Sequence, residues 1–355
     1  AYCLNKRGIT LDLESPEGQG LFRRLATGAD FVLGSFPPGY MDRLGIGYES
    51  LTDTNPGLIM TSITPFGQTG PHAQYRATDI VAWSMGGMQY ISGDEDRPPV
   101  RISFPQAELH AGAQAAAGSM VAFWHRQRTG EGQQVDVSMQ EAVIWTLMNA
   151  TSFPLLHKET VERAGASRKM GFLVLRGVFP CKDGYVSALV VGGVLGAVST
   201  SAIVRWMDEE GLAPDFMKDR DWAAWDFAAV VAQGEEGVKD IQTVERHVGD
   251  FFLTKTKAQL YERAITDRIL LAPCNTVEDT FHNPQLRARE FWVEVYHPEL
   301  YTSLTYPGPY IKLSETPIEA RRRAPLIGEH NEELYIDELG LTSGQLKRLK
   351  RQGTI

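Results

Sequence analysis

The side chains best suited to chemistry are scattered along this sequence rather than clustered. It holds eight histidines, from His72 to His330, and none stands at ligand spacing from another or from a cysteine. A metal centre needs three or four such donors converging, so no metal is expected. The three cysteines, Cys3, Cys181 and Cys274, lie far apart. Free thiols in a reducing, cytoplasmic compartment are the simplest reading. No Gly-x-Ser-x-Gly elbow marks a serine nucleophile, and no Gly-x-Gly-x-x-Gly follows a strand. A Walker loop and a His-Glu-x-x-His pair are absent too. Arg321-Arg322-Arg323 has the charge of a phosphate clamp, but such a run is better read as a solvated connection.

The elements that must position any site are easier to read. The 355 residues suffice for two domains, and 43% apolar with 22% charged residues is ordinary for a globular protein. A net charge of -9 argues against a nucleic-acid or anionic-membrane binder, while leaving room for one anion held by local arginines. Gly184 to Val204 carries no charge over 21 residues. That is long enough for a membrane span of roughly 20 residues. Its glycines and hydroxyl residues favour instead a buried strand (Tyr185 to Val191), a glycine turn at Gly192-Gly193 and a helix start.

Short strands are expected at Ile9–Leu13, Phe31–Leu33, Leu58–Ile63 and Val135–Met139. Helices are expected over 18–29, 109–128 and 140–150, the second rich in alanine and ending at Gly130. Strands alternating with helices imply a parallel sheet, with ligands at the loops that follow its strands. Later come a hairpin over 179–185 and strands at 269–276, 292–296 and 310–313. A helical tail over 331–340 and 343–351 follows.

The order of segments resembles the class III CoA-transferase family, of the formyl-CoA transferase type. The likeness is carried by Asn5-Lys6-Arg7 with Ile9-Thr10-Leu11-Asp12-Leu13, by Ser15-Pro16-Glu17-Gly18, and by Phe36 with Pro38-Gly39 and Met41-Asp42-Arg43-Leu44-Gly45. Phe66-Gly67-Gln68-Thr69-Gly70-Pro71 and Arg128-Thr129-Gly130 continue it, as do Cys181-Lys182-Asp183-Gly184-Tyr185, Ala272-Pro273-Cys274-Asn275-Thr276 and Gly328-Glu329-His330. The resemblance implies an α/β fold in which a Rossmann-like large domain (1–170) carries a smaller α/β domain (178–297), the segment 298–355 returning to the large domain. It implies an interlocked dimer of linked rings, either a homodimer or a heterodimer with a homologue. It also implies that the family's first strand lies upstream of this sequence.

By the same resemblance, the family's catalytic aspartate falls on Glu108, in Ala107-Glu108-Leu109-His110-Ala111-Gly112. A carboxylate in a helix's first turn faces free N–H groups and the positive end of the macrodipole, which suits a carboxylate nucleophile. The implied substrates are coenzyme A, carried as an acyl-CoA, and a carboxylic acid. Leu11, Phe36, Arg43 and Arg76 match positions around CoA, and Asp79 a second active-site acid or a helix N-cap. Glu108 in place of aspartate, Glu14 at an often basic position and Ser35 for a common asparagine are departures. Two other readings remain open. One is a non-catalytic subunit pairing with a catalytic homologue. The other is an acyl-CoA racemase, whose histidine would fall near Thr78.

Overall fold

The structure is a computed structural model and describes residues 2–170 and 173–355. The chain forms two units by internal contacts: residues 1–89, 101–159 and 281–355 in one, 90–100 and 160–280 in the other.

In the first unit, helix α1 (Pro16–Thr27) is started by Ser15, whose side chain accepts from the Gly18 N–H at 3.1 Å, with Pro16 pre-set in helical geometry. Strand β1 (Phe31–Gly34) follows, then short helices α2 (Tyr40–Arg43) and α3 (Tyr48–Thr52), strand β2 (Ile59–Thr64) and helix α4 (Asp79–Met85). Helix α5 (Ala107–Thr129), strand β3 (Gln134–Ser138) and helix α6 (Met139–Trp145) complete the set. The sheet order is β1-β2-β3, parallel throughout, with Phe31 opposite Ile59 and Met60 opposite Gln134. Central β2 is buried at all but Ile63, as a covered parallel strand should be.

The alanine-rich sequence of α5 explains its seat on this sheet. Ala107, Ala111, Ala115, Ser119 and Ala122 are its buried residues, a stripe of small side chains at helical spacing. Such a stripe lets the helix come close enough for Ser119 to bond Thr61 of β2 at 2.7 Å, both hydroxyls buried. Gly130 ends the helix in the left-handed conformation, φ 81°, as its sequence predicts.

Three expectations fail in this unit. Ile9–Leu13 is not a strand, because residues 328–354 rather than a neighbouring strand meet its backbone. Gly8 N–H donates to His330 Nδ1, Thr10 N–H to Asn331 Oδ1, and Asp12 N–H to the Thr354 carbonyl. The Tyr335 hydroxyl donates to the Thr10 carbonyl at 2.8 Å. Tyr310–Leu313 is not a strand either. The hairpin pairs Trp292–His297 with Thr302–Pro307, and Pro307 and Pro309, lacking N–H donors, end the ladder. The helix expected over 140–150 breaks after Trp145, where the Thr146 hydroxyl bonds back to the Val143 carbonyl, and resumes at Met148–Thr151.

The second unit has its own core. An antiparallel sheet (Val178–Cys181, Gly184–Ala188, Leu271–Pro273) packs on helices Gly193–Glu209, Glu235–Phe252 and Lys257–Asp267. Phe179, Ile203, Val244, Phe252 and Leu260 are fully buried in it, with Trp206, Trp222 and Trp225 nearly so. The uncharged stretch from Gly184 is thus a strand, a turn and a helix, with Gly193 at φ 65°. No helix among the described residues is long and apolar enough to cross a membrane. The long connection near 150–178 contains a strand pair, Ser167–Met170 with Leu173–Arg176; residues 171 and 172 lie outside the described ones.

Candidate active site

The head of α5 lacks an ordinary cap. Gln106 stands at the N-cap position without a side-chain capping hydrogen bond, leaving the first-turn N–H groups to other partners. One of them, the Glu108 N–H, donates to Asp79 Oδ1 at 3.1 Å. Asp79 is itself the first residue of α4, whose N-cap Thr78 makes no side-chain cap. Two helix N-termini therefore meet, with Asp79 serving one from the start of the other. The two candidate acids, 29 residues apart in sequence, are thereby joined. Asp79 is not the N-cap of its own helix; it caps the neighbour.

Glu108 is exposed, while Ala107 beside it is fully buried and anchors the turn. Behind them Trp83, 4% exposed, stacks on His110 at 5.9 Å and 19°. The Trp83 indole N–H has no partner among the described residues. A cavity of about 220 Å³ opens beside this pair, lined by Thr78, Asp79, Ile80, Trp83 and the segment Arg101–Gln106.

A second group gathers where β1 ends. Phe36 stacks on Tyr40 at 4.9 Å and 17°, and the Arg43 guanidinium lies 5.3 Å over the same Tyr40 ring. Glu14 reaches Arg43 at 3.7 Å. Its carboxylate also accepts the Tyr40 hydroxyl, which raises the phenol's pKa above the ordinary value. The loop after β2 is tied to this group by Gln74, which donates to the Pro38 carbonyl at 3.3 Å. It is tied to β3 by the Gln68 N–H on Asp136 at 2.9 Å. Arg76, in that same loop, is exposed and forms no ion pair among the described residues. These loops sit at the carboxyl ends of parallel strands, where α/β sheets bind ligands.

The structure thus brings Phe36 and Arg43 together, sets Arg76 in the adjoining loop, and joins Asp79 to Glu108. Leu11 packs with Leu21 and Tyr335 against the C-terminal segment. The arginine run is likewise not simply solvated. Arg323 is 11% exposed and pairs with Glu299 at 2.7 Å and Glu329 at 2.9 Å, holding the Glu329 carboxyl down to about 2. Sequence reasoning missed Tyr40, Arg101 and the Trp83–His110 stack. Tyr40 had a signal, lying between Phe36 and Arg43. Arg101 had none. No cluster of metal-ligating side chains occurs among the described residues.

The mixed α/β fold and the matched segments define one class of protein: residues 2–331 match CoA-transferase family III, and the chain belongs to that family. It is 36% identical over 357 residues to the succinyl-CoA:(R)-benzylsuccinate CoA-transferase subunit BbsE of Thauera aromatica, an alignment covering 100% of this chain and 83% of the relative. It is 31% identical to the succinyl-CoA–D-citramalate CoA-transferase of Chloroflexus aurantiacus, covering 99% of this chain and 83% of that one. The crystal structure of a CaiB/BaiF family protein from Brucella suis superposes with a TM-score of 0.79 at 26% identity, covering 95% of this chain and 82% of that one.

Proposed function

We propose that the protein moves CoA from an acyl-CoA to a carboxylic acid, with the Glu108 carboxylate as the covalent intermediate. The observation that carries this is the Asp79–Glu108 junction. It sets an exposed carboxylate in a helix's first turn, beside a cavity and in the segment where the family keeps its nucleophile. The Glu108 carboxylate attacks the thioester carbonyl, CoA thiolate leaves, and a mixed anhydride forms. The thiolate then attacks the Glu108 carbonyl, releasing the first acid and leaving a glutamyl-CoA thioester. An acceptor carboxylate repeats the sequence in reverse and departs as the new thioester, returning Glu108 as carboxylate. Phe36 and Tyr40 offer stacked aromatic faces to the adenine or pantetheine of CoA, while Arg43 and Arg76 offer charge to its phosphates.

Part of this reading is a Rossmann-like large domain with a smaller inserted domain, in an interlocked dimer. The outer face of α5 supports a second chain: Met120, Val121 and Trp124 are 57%, 70% and 67% exposed there. A second reading, a subunit that binds CoA but leaves catalysis to a homologous partner chain, is favoured by two observations. The Thauera relative is itself named a subunit, and Glu14 already pairs with Arg43.

Purified protein incubated with acyl-CoA and hydroxylamine separates the two. A hydroxamate on Glu108 seen by mass spectrometry, and lost in Glu108→Ala, is the expected result. CoA binding without any adduct would overturn the catalytic role and leave the subunit reading.

A further inference from the structure

The segment Arg101–Gln106 supplies most of the lining of the cavity beside Asp79, yet little holds it there. Arg101 to Pro105 are all exposed, and none of them hydrogen-bonds outside the segment among the described residues. Its two ends, by contrast, are fixed. The Val100 N–H donates to the Ser92 carbonyl at 3.0 Å, and the Gln106 carbonyl accepts the His110 N–H at 2.9 Å. Pro98-Pro99 stiffens the upstream end. Pro105 biases Phe104 away from helical geometry, so the stretch does not join α5. Phe104 is 74% exposed and Ile102 47%, although both line this cavity together with Trp83, only 4% exposed. A strap fixed at its ends, unbonded between them and holding an aromatic ring in water beside an apolar cavity is built as a lid.

We infer that Arg101–Gln106 closes over the acyl chain of the bound thioester, Phe104 moving from water onto that chain. Two links join the cavity to the reacting carboxylate. Asp79 lines the cavity and accepts the Glu108 N–H at 3.1 Å, and Gln106 lines it two residues before Glu108. Closure therefore bears on the turn that carries Glu108. It also keeps water from the anhydride, whose hydrolysis would return the free acid and the Glu108 carboxylate. The inference rests on the transferase reading above and adds a moving part to it. Phe104 shields the chain and takes no part in bond making.

The test follows hydrogen exchange of the Arg101–Phe104 amides by mass spectrometry. The probes are free CoA and S-butyl-CoA, a thioether with an apolar chain that cannot react, each at a concentration shown by calorimetry to saturate. The amides should exchange fast in the free protein and with CoA. With S-butyl-CoA they should exchange at least about tenfold slower, the scale of a modest closing equilibrium. Phe104→Gly should lose that protection, and Phe104→Leu should keep most of it. Both variants should bind free CoA as wild type does, which also reports that they fold. Phe104→Gly should hydrolyse butyryl-CoA faster than wild type.

Slow exchange without any ligand would overturn the inference, since the segment would already be covered. Equal protection by CoA and S-butyl-CoA would overturn it too, tying the segment to the nucleotide end. No protection by either compound, with both bound, would overturn it and leave the transferase reading to the Glu108 hydroxamate. Unchanged hydrolysis in a variant that has lost protection would overturn the shielding of the anhydride. Protection by S-butyl-CoA without a Glu108 hydroxamate from butyryl-CoA would keep the lid and sink the transferase reading. Binding of neither compound would sink both.

Discussion

Glu108 and Glu245 are the same side chain in opposite surroundings. Glu108 is exposed, in the first turn of α5, and its own N–H is bonded to Asp79. Glu245 lies in the interior of helix Glu235–Phe252, 7% exposed, and accepts the Arg176 N–H at 2.8 Å. Burial pushes the Glu245 carboxyl above the usual range, and the Arg176 N–H only partly offsets this. A carboxylate meant to be attacked and released needs access and nearby donors. One sealed in a core can only brace its neighbours, here a strand against a helix. Burial alone would nominate Glu245, which the proposed chemistry does not use.

The sharpest break of this contrast is to delete each in turn. Glu108→Ala should cost at least about a thousandfold in transfer or adduct formation, the scale of losing a covalent nucleophile. It should leave the thermal midpoint nearly unchanged. Glu245→Ala should do the reverse, destabilising by about 1–3 kcal/mol through an orphaned backbone donor, with the Glu108 chemistry intact in the folded fraction. Loss of the adduct in folded Glu245→Ala would erase the distinction.

A subtler test uses pH. The folded state holds the Glu245 proton more tightly than the unfolded chain, so its favourable contribution is present below the ordinary glutamate pKa. It is lost as pH rises through the raised value. Glu245→Gln, which keeps an acceptor for Arg176, should therefore match wild type in chemical denaturation near pH 4 and exceed it at pH 7. A constant difference across that window would refute the sign. Tyr335 follows the same rule at the alkaline end. Burial raises its hydroxyl to about 12, so stability should fall between pH 10 and about 12 in wild type but not in Tyr335→Phe. That variant should also lose about 1 kcal/mol at neutral pH with the Thr10 bond.

The smallest effect concerns Glu14. Its pairing with Arg43 is exposed, and such pairs are worth about 0.2–1 kcal/mol. Glu14→Gln should free Arg43 and tighten CoA binding about twofold to fivefold, the gain shrinking as salt is added. No change would remove Arg43 from the CoA site.

What was legible in the sequence was what repeats along it. The small-residue stripe of α5, the apolar run of β2 and the glycine stop at Gly130 each follow from periodicity or local backbone preference. Ile9–Leu13 was misread because alternation specifies a strand only when another strand lies alongside, and here Asn331, Tyr335 and Thr354 take that place. Glu108 and Asp79 are candidates singly, by resemblance. Their junction was not legible, because the hydrogen bond uses Glu108's backbone, which carries no residue-specific signal. Arg323 was misjudged for a related reason: its partners Glu299 and Glu329 lie in other segments.

The clasp of residues 328–354 on residues 8–12 bears on how the chain is made. Gly8 and Thr10 leave the ribosome more than 300 residues before His330, Asn331 and Tyr335. At about 5–20 residues per second, this first segment waits on the order of tens of seconds for its backbone partners. Closing so long a loop is also an entropically costly, non-local step. Residues 160–280 contact mainly one another and can collapse meanwhile, so an internal unit finishes first while the outer one is still waiting for its last turn. A nascent chain stalled near residue 320 should thus be proteolysed within its first thirty residues while the 160–280 unit resists.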